Sequence, residues 1–143
     1  MGLDLILSNA RIAGAAENSP TVDIGLEGSK IAAIEPHLEA DGERLDVEGR
    51  LVSSGLIETH IHLDKSRILD RCSPSPNRGR DHMARVAAVK ETFTVEDVYD
   101  RARQTLEECV LNGATHMRTH VEVDPNVGMR SFEALQQLAK DYA

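Results

Sequence analysis

Thr94 and Gly113 bracket a helix that is written into the sequence from both ends. Thr94 with Asp97 three residues on forms a capping box, and Val98, Ala102, Leu106 and Cys109 recur at helical spacing behind it. Gly113 stands where such a helix stops, because a residue without Cβ takes the left-handed conformation at little cost. Short apolar β-like runs flank this helix: residues 55–63, GLIETHIHL, before it and residues 114–123, ATHMRTHVEV, after it. A further helix is expected at residues 131–142, and a shorter one at 81–92. Strand, loop, helix, strand, helix is the rhythm of a parallel α/β fold. The segment RILDRCSPSPNRGR, with two prolines, Gly79 and four arginines, reads as a long loop.

The chain ahead of this pattern is of another kind. No long helical period occurs before residue 80. Leu3, Leu5, Ile6 and Leu7 open a short strand. Val22, Ile24 and Leu26 alternate with polar partners, Gly28-Ser29 turns the chain, and Ile31–Ile34 follow, which is a hairpin signature. Residues 45–52, LDVEGRLV, are expected to form another short strand pair around Gly49. Residues 1–50 hold four Lys or Arg against ten acids, so they carry −6 of the total formal charge of −8. Pattern and charge change together near residues 50–56, which divides the chain into 1–54 and 55–143. Three or four short strands cannot close a sandwich alone, so the first part is an incomplete β module.

Composition narrows the possible functions. Aromatic residues make up 3% of the chain and Trp is absent, so its cores must lean on aliphatic side chains. The acidic balance argues against a nucleic-acid or anionic-membrane surface. No stretch approaches the 18 or so apolar residues of a membrane span. The start, MGLDLILSNA, lacks the basic residues of a signal peptide, and Gly2 lacks the Ser or Thr of a myristoylation site. Cys72 and Cys109 stand far apart with no framework spacing, as expected of reduced cysteines in a cytoplasmic protein.

Glu58-Thr59-His60-Ile61-His62-Leu63-Asp64 carries the chemistry. Side chains alternate along a strand, so His60 and His62 point the same way, with Glu58 and Asp64 at the next positions on that side. Two imidazoles roughly 7 Å apart on one strand face can share one divalent metal if the strand bends or its end frays. The flanking carboxylates are placed to hold the ring N–H groups. Two histidines hydrogen-bonded locally on a strand face is the competing, purely structural reading.

The segment LVSSGLIETHIHLDK, preceded by about fifty residues of β module, resembles the start of the amidohydrolase superfamily. There a stretch of the form G-hydrophobic-[DE]-x-H-x-H ends the first barrel strand. HxHLD followed by a Pro-containing loop, a capped helix and Arg118-Thr119-His120-Val121 most resembles the cytosine deaminase branch, which includes N-isopropylammelide hydrolase-like enzymes. The resemblance implies the start of a (β/α)8 TIM barrel behind part of a small β-sandwich module, with two βα units in residues 55–143. It implies His60 and His62 as ligands of one divalent metal ion, Zn or Fe, and Asp64 and Glu58 as supporting groups. His120 and Arg118, two apart and sharing a face with Glu122, are expected to line the same cavity, unless Arg118 is held in an ion pair with Glu58 or Asp64. Lys65 is typical of the branch, whereas Arg78, Gly79, Arg80 and Asp81 depart from the more apolar loop of pyrimidine enzymes. His37, His82 and His116 match nothing and are expected to be surface or structural.

The implied activity is hydrolysis of a C–N bond in a small nitrogenous ring or amide, by a protein that is homo-oligomeric when full length. The family's remaining ligands and its proton-transfer groups come from later strands. A barrel needs roughly 250 residues, so the 143 here are expected to be inactive alone and prone to self-association. Two alternatives stand beside this. A TatD-like hydrolase also begins with HxHLD, though at its extreme amino terminus. A non-catalytic β/α fragment would act as a subunit or binding module through its exposed strand edges.

Overall fold

The computed structural model describes residues 2–72 and 82–143. The chain folds as two units, Met1–Ser54 and Gly55–Ala143.

The first unit is a sheet of five strands: β1 (Leu5–Ile12), β2 (Val22–Glu27), β3 (Lys30–Glu35), β4 (Glu43–Asp46) and β5 (Leu51–Val52). The expected hairpin is present, with Ile24 opposite Ile34 and Glu27 opposite Lys30 across the Gly28-Ser29 turn. The expected strand pair around Gly49 is not. β4 and β5 do not pair with each other; both run parallel to β1, β4 against Leu5–Ser8 and β5 against Arg11–Ile12. The reason lies in β1, where the register slips between Leu7 and Ala10 and Asn9 adopts a positive φ of 58°. The Val47–Arg50 segment follows that bulge. Val47 and Gly49 donate backbone N–H groups to Ser8 and Asn9, and the Asn9 amide donates to Asp46 at 2.9 Å. One side of β1 packs Ile6 against Leu3 and Leu38. The module is one sheet; the described residues of this unit contain no second sheet to complete a sandwich.

The second unit is built on two parallel strands, β6 (Leu56–Ile61) and β7 (Ala114–Thr119). Between them lie α1 (His82–Lys90) and α2 (Val95–Leu111), and α3 (Arg130–Asp141) follows. The Thr94 hydroxyl accepts the Asp97 N–H at 3.1 Å, one half of the expected capping box. The other half is missing because the Asp97 carboxylate turns to Arg71 and Arg101. Gly113, at φ +93°, reverses the chain into β7. Gly55 ends the segment ahead of β6 where a Cβ would collide with the Thr115 side chain, so the strands approach there only through a glycine.

Aliphatic packing forms two adjoining clusters. Ile68, Val89, Phe93, Val98, Val127 and Ala134 make one; Leu63, Ala102, Leu135 and Leu138 make the other, with Tyr99 against both. Phe93 is fully buried and carries the Arg101 guanidinium 4.6 Å above its ring. Residues 73–81, including Arg78, Gly79, Arg80 and Asp81 of the expected loop, lie outside the described residues. Earlier in that loop, Leu69–Arg71 form a short 3-10 turn.

Candidate functional site

β6 ends at Ile61 and β7 at Thr119, so the residues just inside and beyond these ends meet at the carboxyl edge of the pair. Three hydrogen bonds fix the meeting. His120 N–H donates to the Ile61 carbonyl at 2.7 Å, Leu63 N–H to the Thr119 hydroxyl at 3.2 Å, and that hydroxyl to the Ile61 carbonyl at 3.3 Å. The outcome is a cluster of three imidazoles. Ring centroids are 5.7 Å apart for His60 and His62, 4.2 Å for His60 and His120, and 5.4 Å for His62 and His120. Desolvation, with the neighbouring His60, His62 and Arg118 behind it, holds the His120 imidazole below the ordinary histidine range. A neutral ring is thereby favoured, the form in which imidazole binds metals.

Asp64 lies in the 3-10 turn Leu63–Lys65 and is fully buried. Its Oδ2 accepts the Glu122 N–H at 3.0 Å, and its Oδ1 faces His62 Nδ1 at 3.6 Å. Arg101 reaches over from α2 and donates to the carbonyls of Asp64 at 3.2 Å and Ser66 at 2.6 Å. Glu122 receives both Lys65 and Lys90, and Lys90 also pairs with Asp124. The Glu122 carboxylate is held below its usual range by these two lysines, which outweigh its burial.

Several sequence expectations change here. Among the described residues Glu58 bonds no imidazole; its Oε1 accepts the backbone N–H of His60 at 2.8 Å. Arg118 is exposed and, among the described residues, forms no ion pair with Glu58 or Asp64. The strand expected to run to residue 123 stops at Thr119, so strand alternation no longer relates Arg118, His120 and Glu122. His37 lies 3.4 Å from Asp23 in the sheet module, and His116 meets the Thr115 hydroxyl at 3.1 Å. The lysine–carboxylate group around Glu122 had no counterpart in the sequence reading. Arg101 was not singled out either, although its i,i+4 spacing from Asp97 is that of a helical ion pair.

Imidazole donors suit a divalent transition metal, and His62 has a buried Nδ1 with no hydrogen-bond partner, facing an equally unpartnered Asp64 Oδ1. That is the surrounding expected of a histidine whose other nitrogen is reserved for a metal, so the residues fit such a group. Among the described residues, however, no three or more His, Cys, Asp or Glu side chains form a set able to hold an ion by themselves. His60 and His62 do not by themselves make a closed set of ligands. An apolar cleft of about 260 Å³ against β7, α2 and α3, lined by Leu106, Met117 and Leu135, contains none of the three clustered histidines.

The amidohydrolase family model matches residues 43–140. The chain is 29% identical, over 96% of its length, to N-isopropylammelide isopropyl amidohydrolase of Pseudomonas sp. (strain ADP), of which it covers 35%. Its fold superposes on 5-methylcytosine deaminase from Klebsiella pneumoniae, solved with 5-fluorocytosine, with a TM-score of 0.79 and 27% identity, over 95% of this chain and 33% of that one. It matches N-isopropylammelide isopropylaminohydrolase from Burkholderia multivorans with a TM-score of 0.78 and 25% identity, over 99% of this chain and 35% of that one. The chain thus spans about a third of the length of these relatives. No helix among the described residues is long and apolar enough to cross a membrane.

Proposed function

Because the chain belongs to the amidohydrolase family, we propose that it is the amino-terminal part of a metal-dependent hydrolase that cleaves C–N bonds in a small nitrogenous ring. Residues 1–54 then contribute to a composite β domain, and residues 55–143 are the first two βα units of a barrel. The observation that carries the reading is the convergence of His60, His62 and His120 at the carboxyl ends of two parallel strands, where barrel enzymes build their active sites. His60 and His62 hold the metal, Zn or Fe. When bound, such an ion supplies Lewis acidity and lowers the pKa of bound water towards ~7. His120 lines the cavity beside these ligands, with Arg118 exposed at its rim. Asp64 supports the site from beneath.

The substrate class follows the relatives, one named for N-isopropylammelide and another for 5-methylcytosine. By itself this chain releases no ammonia or amine, since it offers two metal ligands and no assigned general acid or base. The natural protein is expected to have about three times the 15.7 kDa of this sequence and to be homo-oligomeric.

The test is the intact mass and metal content of the protein from its natural source, followed by assay on aminopyrimidines, triazines and cyclic amides. A metal-loaded protein near three times this mass that releases ammonia or an amine supports the reading. A metal-free natural product of 15.7 kDa overturns it in favour of a non-catalytic subunit.

A further inference from the structure

Two buried polar atoms in the second unit face each other without a hydrogen bond: His62 Nδ1 and Asp64 Oδ1, 3.6 Å apart. Buried polar groups in native proteins are almost always paired, so two unpaired atoms turned towards one another need an explanation. Among the described residues neither atom has another hydrogen-bond partner. An approach of a few tenths of an ångström turns the pair into a hydrogen bond, with the ring donating and the carboxylate accepting.

We propose that Asp64 is a positioning residue: its carboxylate accepts a hydrogen bond from the Nδ1–H of His62, fixing the tautomer in which Nε2 is left bare for a metal. The proposal rests on the reading of His62 as a ligand. The carboxylate is suited to the task because it cannot move away. Its side chain is 1% exposed, its other oxygen holds the Glu122 N–H at 3.0 Å, and Arg101 clamps its main-chain carbonyl at 3.2 Å. Glu122 is itself anchored by Lys65 and Lys90, so the support runs from α1 through the end of β7 to the underside of His62. Glu58, the other nearby carboxylate, is committed to the backbone of its own strand. An acceptor fixed in this way also prevents the ring from flipping, which would exchange the nitrogen aimed outward.

The experiment uses the metal-free, 15N-labelled chain at about pH 8, where an ordinary imidazole is neutral. Long-range 1H–15N correlation reports the tautomer of each ring, and the His62→Gln variant assigns the His62 signals. Protonation at Nδ1 is expected; a bare Nδ1 with Nε2 protonated overturns the assignment. In Asp64→Asn the side-chain oxygen can keep the Glu122 N–H while the amide points its own hydrogens at the ring. The tautomer is then expected to invert and Zn(II) affinity to fall ~10- to 100-fold. An unchanged tautomer in a folded Asp64→Asn variant also overturns the proposal. If that variant does not fold, the wild-type tautomer decides alone. A wild-type chain that carries the Nδ1 proton yet takes up no Zn(II) upholds the role of Asp64 at the ring and counts against the metal-dependent hydrolase instead.

Discussion

Each of the three clustered histidines answers to a different neighbour. His60 is held through its backbone by Glu58, His62 faces Asp64, and His120 is fixed by its N–H to Ile61 while its ring sits against the other two. Replacing His60 or His62 by Ala is expected to weaken Zn(II) uptake at least tenfold, read by competition with a chromogenic chelator. The same change at His116 should leave uptake unaltered, since that ring meets Thr115 instead. The nearness of His60 and His62 was legible because they stand two apart where an extended strand ends, although the β6–β7 register shifts between Glu58 and Ile61. The fate of Arg118 was not, because an exposed arginine and an ion-paired one have the same sequence. Phe93, one of only two phenylalanines, fills the core beneath Arg101. Phe93→Ala is expected to cost ~3–5 kcal/mol in urea unfolding of the second unit.

At the level of elements, the helix legible from both ends is the one found, because a cap and a stop are local chemistry. Thr94→Ala should cost ~0.5–2 kcal/mol through loss of one cap bond. Asp97→Ala should cost more, since that carboxylate ties Arg71 and Arg101 to the start of α2 and thereby steadies the turn bearing Asp64. Gly55→Ala is expected to destabilise by ~1–3 kcal/mol, because the added methyl meets Thr115 across the strand pair. Elements whose form depends on remote partners were harder to read. Leu51–Val52 looks like half of a hairpin with residues 45–46 until the bulge at Asn9 gives both segments a place on β1. The strand ending at Thr119 looks four residues longer, because Val121 and Val123 keep alternating after the β6–β7 pairing has ended.

For the molecule as a whole, acid is the sensitive direction. Lys90 and the backbone N–H groups of Asn126 and Val127 lower the Asp124 carboxyl to about 2 from its ordinary value of 3.8. Asp97 is lowered too, since Arg71 and Arg101 outweigh its burial, and so is Glu122. Groups lowered on folding contribute their stability above the unfolded pKa, so that contribution is full near neutrality and is lost between about pH 4 and pH 2. Circular dichroism on acid titration should show unfolding in this window, and Asp124→Asn should reduce stability at pH 7 while flattening the dependence. At neutral pH the strand pair leaves Leu56 and Ile57 60% and 67% exposed, and neither β6 nor β7 has a second neighbouring strand among the described residues. Light scattering is accordingly expected to show concentration-dependent association, which a monodisperse monomer would contradict.

The carboxylate beneath His62 reaches its partner at Glu122 across 58 residues of chain. A ribosome delivers the histidine pair early and must add some sixty further residues before the support for it exists. Until then the Asp64 carboxylate lacks the Glu122 N–H that holds it. Contacts of such long sequence separation close late in folding, so the geometry at His62 is among the last things this unit acquires.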